Sequence, residues 1–485
     1  MKICFMCDLH LPFDKKALQY DVLNWALGDI NEKGADCIIF AGDVTCDGNK
    51  DVYDSFIQKM QSLNIPFLFI PGNSDLRDKE SRKEIFAKHS PCENEINGIK
   101  IFAINDSKQE ISDEQLLVLE KADDDSIVFM HHPIESFSCS VQKRLQDFLK
   151  RHSKSTLFYG HLHKFEKNGN SVSLQAMDPD KAIGETPCVT YYDTDTREIS
   201  RENYQADIPK DIYDNFGISC YDTIKQIMFS AEKGLKNIEL RPCCIEENRN
   251  ELLEAVRVWR KSGGNNLSIH LPDVVFSNGK VYSKDIECFM ELAVLLCANR
   301  LTQHVPLISL NEIEAYPDSL ELICNFLAKH FNSLSPKVVI GVENMHTKEN
   351  EKDDLFRRFG LIPQECILFM EMLGSKCRQK VGINFDIGHA RNNFPFSQKY
   401  QISTWLSQIG EYAVGYHIHQ VTHTNGKFNN HMAITDIYGK LINFTSLFKF
   451  WEMGVINKAP LIFEMRDKDA YEVTLKTFNK YRLCE

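Results

Sequence analysis

Short apolar runs alternate with amphipathic segments over residues 1–205. The runs 2–6, 36–41 and 67–71 are typical of buried strands, and each ends in a polar or glycine-containing cluster. Between them, apolar residues at helical spacing predict helices, for example over 17–31. This alternation predicts an α/β sandwich for the first part of the chain.

A second alternation of strands and helices begins near residue 213 and continues to residue 485. The polar stretch before it, 201–212, contains Pro209, and we interpret it as a linker. Eight strand candidates follow, at 216–219, 237–240, 266–270, 302–308, 338–342, 381–386, 413–419 and 460–464. Eight strand–helix units predict a (β/α)8 TIM barrel. The predicted fold class is therefore α/β, with a sandwich domain at 1–205 and a barrel domain at 213–485.

Composition is that of an ordinary globular protein, with 43% hydrophobic and 26% charged residues. A length of 485 residues is too great for a single core, which agrees with two domains. The net charge of −12 argues against a protein that holds nucleic acid by bulk positive charge. There are 16 cysteines but neither a signal peptide nor an apolar run of about 18 residues, so we expect reduced thiols, no membrane partner and a cytoplasmic location.

Residue types that bind metals follow five of the apolar runs in the first domain. They occur as Asp-Leu-His, Gly-Asp, Gly-Asn-Ser-Asp, His-His-Pro and Gly-His-Leu-His. Because strand ends of an α/β sheet meet at one edge, these side chains are expected to lie together. The candidate metal ligands are Asp8, His10, Asp43, Asn73, His131, His161 and His163.

This inventory fits a site for two divalent metals, which needs a bridging carboxylate with imidazole, amide and carboxylate ligands on either side. Asp43 is the natural bridge. One metal would be held by Asp8, His10 and His163. The other would be held by Asn73, His131 and His161. Water activated by two such metals attacks phosphorus in line, and we expect Asp43, Asn73 and His10 to be the catalytic residues.

The five motifs together resemble those of the calcineurin-like metallophosphoesterases, over about the first 200 residues. The resemblance implies a phosphoester hydrolase with two divalent metals, Mn, Fe or Zn. Many members of that family carry a histidine after the asparagine, which assists departure of the leaving group, whereas this chain carries Ser74. The Gly-Asn-Ser-Asp form is more similar to that of small bacterial and archaeal phosphodiesterases. General-acid assistance would then come from His132 or Asp75, or be absent.

Polar candidates also follow the predicted barrel strands, at the end where barrels build their sites. We expect metal ligation there by His270, His304, Glu343, Asp386, His389, His419, His431 and Glu464. His417 is expected to point to the opposite face of its strand from His419, so His419 is preferred as the ligand.

This second pattern resembles the xylose isomerase-like barrels, which include sugar isomerases, epimerases and the endonuclease IV nucleases. The resemblance implies one to three divalent metals, Zn or Mn. The ligands of the single-metal epimerases are matched by Glu343, Asp386, His419 and Glu464, of which the two glutamates also move the proton. The additional histidines of the three-zinc nucleases are matched by His270, His304, His389 and His431. Those nucleases have an Asp-x-His loop where this chain has Asn429, so one carboxylate is missing from the third site.

Two interpretations of function follow, and both place a metal-dependent phosphoesterase in the first domain. In the first, that domain hydrolyses a phosphodiester or phosphomonoester, and the barrel isomerises or epimerises a sugar-derived or phosphate-containing small molecule. In the alternative, both domains process nucleic acid in repair or defence, the barrel acting as an endonuclease IV-like nuclease. The acidic net charge favours a phosphorylated small molecule, whereas the additional barrel histidines favour nucleic acid. A third interpretation, in which one domain only binds, rests on Ser74 and Asn429 alone.

Overall fold

The structure is a computed structural model that describes residues 1–348, 351, 356–424 and 427–482. The chain folds into two compact units. Unit 1 consists of Met1–Ala206 and Tyr438–Ser446, and unit 2 of Asp207–Ile437 and Leu447–Glu485. The last three residues of the predicted barrel domain, 483–485, lie outside the described residues. Among the helices in the described ranges, none is long and apolar enough to cross a membrane.

Unit 1 is built on two β-sheets. Its strands are β1 (Lys2–Met6), β2 (Cys37–Ala41), β3 (Phe67–Ile70), β4 (Glu93–Ile96), β5 (Ile99–Ala103), β6 (Ile127–Met130), β7 (Thr156–Tyr159), β8 (Glu166–Asn168), β9 (Ser171–Ser173), β10 (Cys188–Asp193) and β11 (Ile199–Asn203). Its helices are α1 (Leu18–Lys33), α2 (Lys50–Gln61), α3 (Arg82–Ala87), α4 (Asp113–Val118) and α5 (Cys139–Arg151). One sheet has the order β11-β10-β1-β2-β3 and the other β4-β5-β6-β7-β9-β8.

Parallel pairing aligns the strand ends that carry the candidate residues. In the first sheet β1 is parallel to β2 and β2 to β3. In the second sheet β5 is parallel to β6 and β6 to β7. Each set of loops therefore leaves its sheet at one edge, as the sequence analysis predicts for an α/β fold.

Apolar side chains of period two fill the core of unit 1. Ile3 and Phe5 of β1 and Ile39 of β2 are buried in one cluster with Phe129 of β6 and Phe158 of β7, so the two sheets share this core. The Phe5 and Phe158 rings stack with their centroids 3.9 Å apart. Each large apolar side chain that is fully buried contributes roughly 1.5–3 kcal/mol. The same burial fixes the strand ends from which the ligand loops emerge.

Unit 2 contains a closed barrel of eight parallel strands. The strands after residue 206 are β12 (Phe216–Cys220), β13 (Asn237–Leu240), β14 (Asn266–His270), β15 (Val274–Ser277), β16 (Lys280–Ser283), β17 (Arg300–His304), β18 (Val339–Glu343), β19 (Lys380–Asp386), β20 (Ala413–Ile418), β21 (Gln420–Thr424), β22 (Lys427–Met432) and β23 (Leu461–Phe463). The barrel order is β12-β13-β14-β17-β18-β19-β20-β23. The predicted TIM barrel is therefore confirmed.

Helices connect the barrel strands. They are α6 (Thr223–Lys233), α7 (Arg249–Lys261), α8 (Ile286–Leu295), α9 (Leu310–Ala315), α10 (Ser319–Phe331), α11 (Pro363–Gly374), α12 (Ile387–Arg391), α13 (Phe396–Lys399), α14 (Ile402–Ile409), α15 (Thr445–Met453) and α16 (Lys468–Arg482). The fourth barrel strand begins and ends earlier than the predicted 302–308. It ends before Pro306, which has no amide hydrogen with which to continue a ladder. The hairpins β15–β16 and β21–β22 were not predicted.

Candidate metal centres

The loops after β1, β2 and β7 hold five candidate ligands in left-handed backbone conformations. The φ angles are 50° at Asp8, 48° at His10, 58° at Asp43, 66° at His161 and 59° at His163. Such conformations are uncommon for residues with a side chain and cost on the order of 1–3 kcal/mol each. They persist only where the surroundings fix them, and they concentrate at functional sites.

One group of candidate ligands surrounds Asp8 and Asp43. His10 Nε2 lies 3.1 Å from Asp43 Oδ2, and His163 Nε2 lies 3.5 Å from Asp8 Oδ1. One ligand atom from each of these four residues lies within 4.8 Å of the others. These are the residues that the sequence analysis places around the first metal and its bridge.

A second group lies on the other side of Asp43. His131 Nε2 is 3.5 Å from Asp43 Oδ1. Asn73 Oδ1 is 3.1 Å from His131 Nε2 and 3.0 Å from His161 Nδ1. His132, which the sequence analysis did not select as a ligand, has a ring nitrogen within 4.8 Å of those of His131 and His161. The two oxygens of Asp43 therefore face two different groups.

Buried charges set the ionisation of this centre. Burial acts to raise the pKa of Asp43, but His131 and His10 outweigh it and hold the pKa well below its usual range. Burial acts to lower the pKa of His131, but Asp43 and Asp8 outweigh it and raise the pKa to about 10. Burial and the neighbouring His131 together lower the pKa of His161 to about 4. Metals bind the ionised carboxylate and the neutral imidazole.

An unpartnered oxygen of Asp8 shows that a cation fits this centre. Asp8 is fully buried, and its Oδ2 accepts the backbone N–H of His161 at 2.9 Å. Its Oδ1 accepts no hydrogen bond from any residue that the structure describes. A buried carboxylate oxygen is costly unless a donor or cation lies against it. The residues present therefore fit a divalent metal, which Asp8 and its neighbours could hold.

Two glycines allow the ligand loops to approach one another. A Cβ at Gly42, whose φ is 90°, would lie 2.5 Å from His131 Nδ1. A Cβ at Gly72 would overlap the carboxylate of Asp43. Close approach of neighbouring groups thus explains glycine in the Gly-Asp and Gly-Asn motifs.

The two candidate general acids have different surroundings. Asp75 is fully buried and accepts hydrogen bonds from three backbone amides and the Thr45 hydroxyl, so it joins the loops after β2 and β3. Ser74 donates its hydroxyl to the Thr45 carbonyl at 2.6 Å. His132 Nε2 has no hydrogen-bond partner within the described ranges, and its ring centroid lies 4.5 Å from that of His161. Of the two acids, His132 is the one next to the ligand groups.

Two supporting carboxylates of unit 1 were not identified from the sequence. Asp106 accepts the backbone N–H groups of His131 at 2.8 Å and His132 at 2.7 Å, and it contacts His132 Nδ1 at 3.1 Å. Asp178 Oδ2 lies 3.3 Å from His10 Nδ1. Asp106 follows β5, so the rule that found the ligands could have found it, whereas Asp178 lies in a loop without that signal.

In the barrel, the eight candidate ligands lie together, with five histidines around three buried carboxylates. Glu343 and Asp386 end β18 and β19, and Glu464 follows β23. The five candidate histidines around them are His270, His304, His389, His419 and His431. Strand ends and loops therefore bring together every barrel residue that the sequence analysis selects.

Glu343 lies at the centre of these histidines. Its carboxylate is 3.2 Å from His270 Nε2, 3.4 Å from His304 Nε2 and 3.6 Å from His389 Nδ1. His270, His304 and Glu343 form one group whose ligand atoms lie within 4.8 Å of one another. Glu343 also belongs to a second such group, formed with Asp386, His417 and Glu464. Its carboxylate can therefore serve two metal positions.

His417 is central to the second group. Its Nδ1 lies 2.7 Å from Glu464 Oε2, 3.2 Å from Glu343 Oε1 and 3.8 Å from Asp386 Oδ2. The expectation that His417 points away from His419 is wrong, because residues two apart along a strand share a face. Both histidines are fully buried.

His419 and His431 lie beside Asp386 and Glu464. His419 Nε2 lies 3.3 Å from Asp386 Oδ1, and His431 Nδ1 lies 3.5 Å from Glu464 Oε1. The backbone N–H of His431 donates to His419 Nδ1 at 3.0 Å. Asn429 is exposed.

Buried carboxylate oxygens that accept no hydrogen bond make the barrel group suited to cations as well. Within the described part of the chain, no hydrogen bond reaches either oxygen of Glu343, Asp386 Oδ2 or Glu464 Oε2. Burial acts to raise the pKa of Glu343, but His417 and His304 hold it well below its usual range. Burial acts to lower the pKa of His304, but Glu343 reverses the shift and raises the pKa to about 10. Carboxylates that remain ionised without donors require positive charge beside them.

Glu239 and Arg241, at the end of β13, were not identified from the sequence. Glu239 Oε1 lies 2.9 Å from His417 Nε2, and its Oε2 accepts two hydroxyl groups. Arg241 Nη1 lies 2.9 Å from Glu464 Oε1. Their position at a strand end is the same signal that selected Glu343, so it could have found them.

Residues 1–165 match the family model described as calcineurin-like phosphoesterase, a family whose members use divalent metals. The resemblance found in the amino-terminal motifs is therefore confirmed. A probable glycerophosphodiester phosphodiesterase of Arcobacter nitrofigilis is 30% identical over a match that covers 27% of this chain and 57% of that protein. The chain thus spans less than two thirds of the length of this relative.

Two solved structures are similar to the chain at low identity. A D-tagatose 3-epimerase-like protein is 19% identical, with a TM-score of 0.40 and a match that covers 56% of this chain and 97% of its own. Endonuclease IV from Thermus thermophilus is 14% identical, with a TM-score of 0.38 and a match that covers 56% of this chain and 100% of its own. Similarity at this level carries no information on activity.

Proposed function

We propose that unit 1 is a two-metal phosphodiesterase. The position of Asp43 carries the proposal, because its Oδ2 faces His10 and its Oδ1 faces His131. A carboxylate placed in this way can bridge two cations and hold each against its own set of ligands. The buried, ionised state of Asp43 supports that role.

Two divalent cations, Mn, Fe or Zn, would supply this centre with positive charge and with a strong nucleophile from water at neutral pH. Asp8, Asp43 and the imidazoles would hold them. Asn73 is only partly buried, and with its oxygen beside His131 and His161 its amide N–H can donate to a phosphoryl oxygen. The chain's own contribution is thus to position the charges and orient the phosphate.

A diester is a better match to this centre than a monoester. Ser74 donates its hydroxyl to a backbone carbonyl, and Asp75 accepts hydrogen bonds from two loops, so neither is directed at a leaving group. The Arcobacter relative is named a probable phosphodiesterase, which supports the same choice. We propose a phosphorylated small molecule as the substrate, with a leaving group that departs without strong acid assistance.

For the barrel we propose metal-dependent chemistry with Zn or Mn on a phosphate-containing or sugar-derived compound. The membership of Glu343 in two ligand groups favours two or more metals, and so favours phosphate ester hydrolysis, for which nucleic acid is one substrate class. An isomerase or epimerase is the second candidate, because Glu343 and Glu464 belong to one ligand group and could move a proton as the two glutamates of the epimerases do. The number of metals in the barrel separates the two.

Variant enzymes test both assignments. Wild type, Asp43→Asn and Glu343→Gln are each assayed with Mn²⁺ or Zn²⁺ against bis-phenyl phosphate diesters, sugar phosphates and DNA that contains abasic sites. We expect Asp43→Asn to abolish the diesterase activity of unit 1 and Glu343→Gln to affect only the barrel. If Asp43→Asn retains every phosphoesterase activity, the assignment of unit 1 is wrong. If Glu343→Gln changes nothing, the barrel does not act on these substrates.

A further inference from the structure

The loop 177–185 of unit 1 supports three of the candidate ligands. Asp178 N donates to Asp8 O at 2.9 Å, and Ile183 N donates to His163 O at 2.9 Å. Asp178 Oδ2 lies 3.3 Å from His10 Nδ1. One short loop therefore fixes the backbone of two ligand residues and the side chain of a third.

Asp178 is itself held from three directions. Gln19 Nε2 donates to Asp178 Oδ1 at 3.1 Å, and the backbone N–H of Asp180 donates to the same oxygen at 2.9 Å. Lys181 Nζ lies 3.3 Å from Asp178 Oδ2. A fixed carboxylate can accept a hydrogen bond from His10 Nδ1, which leaves Nε2, on the side of Asp43, as the nitrogen available to a metal.

Residues from much later in the chain complete this part of unit 1. The segment Tyr438–Ser446 belongs to unit 1, and its Tyr438 and Asn443 form a bridge that closes the segment on itself. Its hydrogen bonds to the loop run from Gly184 N to Tyr438 O (2.8 Å), from Asn443 Nδ2 to Ala182 O (2.7 Å) and Glu185 O (3.1 Å), and from Ser446 Oγ to Asp180 Oδ1 (2.6 Å). Removing such donors leaves loop carbonyls unsatisfied and loosens the loop.

We propose that Tyr438–Ser446 is a positioning element of the metal centre of unit 1, which acts through the loop 177–185 and Asp178 on His10. The positioning role of this segment rests on the proposed two-metal function of unit 1. It extends that function, because residues 1–206 alone would form an incomplete metal centre. Asn443, Ser446 and Asp178 are positioning residues, since each acts through another group.

Binding of Mn²⁺ to the full-length chain tests this role. The Mn²⁺ sites that are lost in Asp43→Asn are assigned to unit 1. At these sites we expect Asn443→Ala and Asp178→Asn to weaken Mn²⁺ binding by about 10–100-fold, the usual cost of removing a group that orients a metal ligand. At saturating Mn²⁺, the kcat for a phosphodiester should return close to the wild-type value, because no reacting group is lost.

Asn457→Ala is the matched control. Asn457 Nδ2 also donates to two backbone carbonyls, those of Glu411 at 2.6 Å and Ala413 at 3.2 Å, but all three residues belong to unit 2. We expect this variant to bind Mn²⁺ in unit 1 as the wild type does. Ser446→Ala should weaken binding, and Ser446→Thr, which keeps a hydroxyl, should restore it.

The outcomes separate the positioning role from the function on which it rests. If Asp178→Asn and Ser446→Ala bind Mn²⁺ as the wild type does while Asp43→Asn loses sites, the positioning role is overturned and the two-metal centre stands. If Asp43→Asn loses no sites, the two-metal function itself is overturned. Thermal unfolding of each metal-free variant identifies any variant that fails to fold. If Asn443→Ala fails to fold, the Mn²⁺ affinities of Asp178→Asn and Ser446→Ala test the positioning role.

Discussion

At Asp43 one carboxylate determines the electrostatics of the phosphoesterase centre. It is buried, its backbone is left-handed, and its Oδ1 already accepts the backbone N–H of Ser74 at 2.7 Å. Burial of a charge and a strained backbone both cost free energy, which a pair of bridged cations would offset. The conformation and burial of Asp43 are therefore best explained by the metal-bridging role that we propose for it.

A single methyl group at position 72 should disrupt this centre. In Gly72→Ala the new Cβ would overlap the Asp43 carboxylate, so we expect loss of metal binding and of diesterase activity. Gly28→Ala is the control, because Gly28 lies within α1 and a Cβ added there would have no atom within 4 Å, and we expect it to gain about 0.5–1 kcal/mol of stability. Thermal unfolding and metal titration of both variants measure this, and an unchanged metal affinity in Gly72→Ala would contradict the packing argument.

The hydrogen bonds of Ser74 and Asp75 predict a strong dependence of rate on the leaving group. Neither side chain is directed to protonate a departing oxygen, so kcat should fall steeply as the pKa of the leaving alcohol rises. A series of aryl and alkyl diesters of graded leaving-group pKa measures the slope. A flat dependence would mean that another acid, such as His132, protonates the leaving group.

At the scale of elements, the ends of strands were the most informative signal in the sequence. Apolar runs predicted the strands because burial of their side chains decides the fold, and the polar residues after them marked the loops. Asp8, Asp43 and Glu343 were found in this way. Residues from separate strands converge because parallel strands end at a common edge, and this requires no knowledge of loop conformation.

Other features could not be predicted from the pattern of apolar and polar residues. Asp178 and the segment Tyr438–Ser446 are placed by loop conformation and by contacts between distant parts of the chain, which leave no periodic signal. The strands of the hairpins β15–β16 and β21–β22 have only four to six residues and few of these are buried, so they are too short for a periodic apolar signal to stand out. His417 was misplaced by an error of strand geometry, and a consistent period of two would have put it beside His419.

Imidazoles placed beside carboxylates at strand ends should make metal uptake release protons. The pKa of His131 and of His304 is raised to about 10 in the metal-free protein, mainly by Asp43 and by Glu343 against the effect of burial, so both rings are protonated at pH 7. A metal binds the neutral ring, so its affinity should rise with pH until the pH passes these pKa values. Titration calorimetry in buffers of different ionisation enthalpy counts the protons, and no release at pH 7 would contradict this account.

On the scale of the whole molecule, two units each collect buried carboxylates and imidazoles at the ends of parallel strands. Among the described residues four groups could hold a metal, two in each unit. The net charge of −12 opposes an anionic substrate, and bound cations would reverse that opposition locally. Unit 1 also includes a segment of the chain that follows the seventh barrel strand. If this segment has the positioning role that we propose, the metal centre of unit 1 depends on more than residues 1–206.

The most direct test of the central claim is to locate the metals. A crystal of the full-length protein soaked in Mn²⁺ should show two anomalous difference peaks about 3.5–4 Å apart on either side of Asp43, as expected for a two-metal site. One should lie beside Asp8, His10 and His163, and the other beside Asn73, His131 and His161. No peak beside Asp43, or a single peak that its carboxylate does not touch, would contradict the assignment of unit 1.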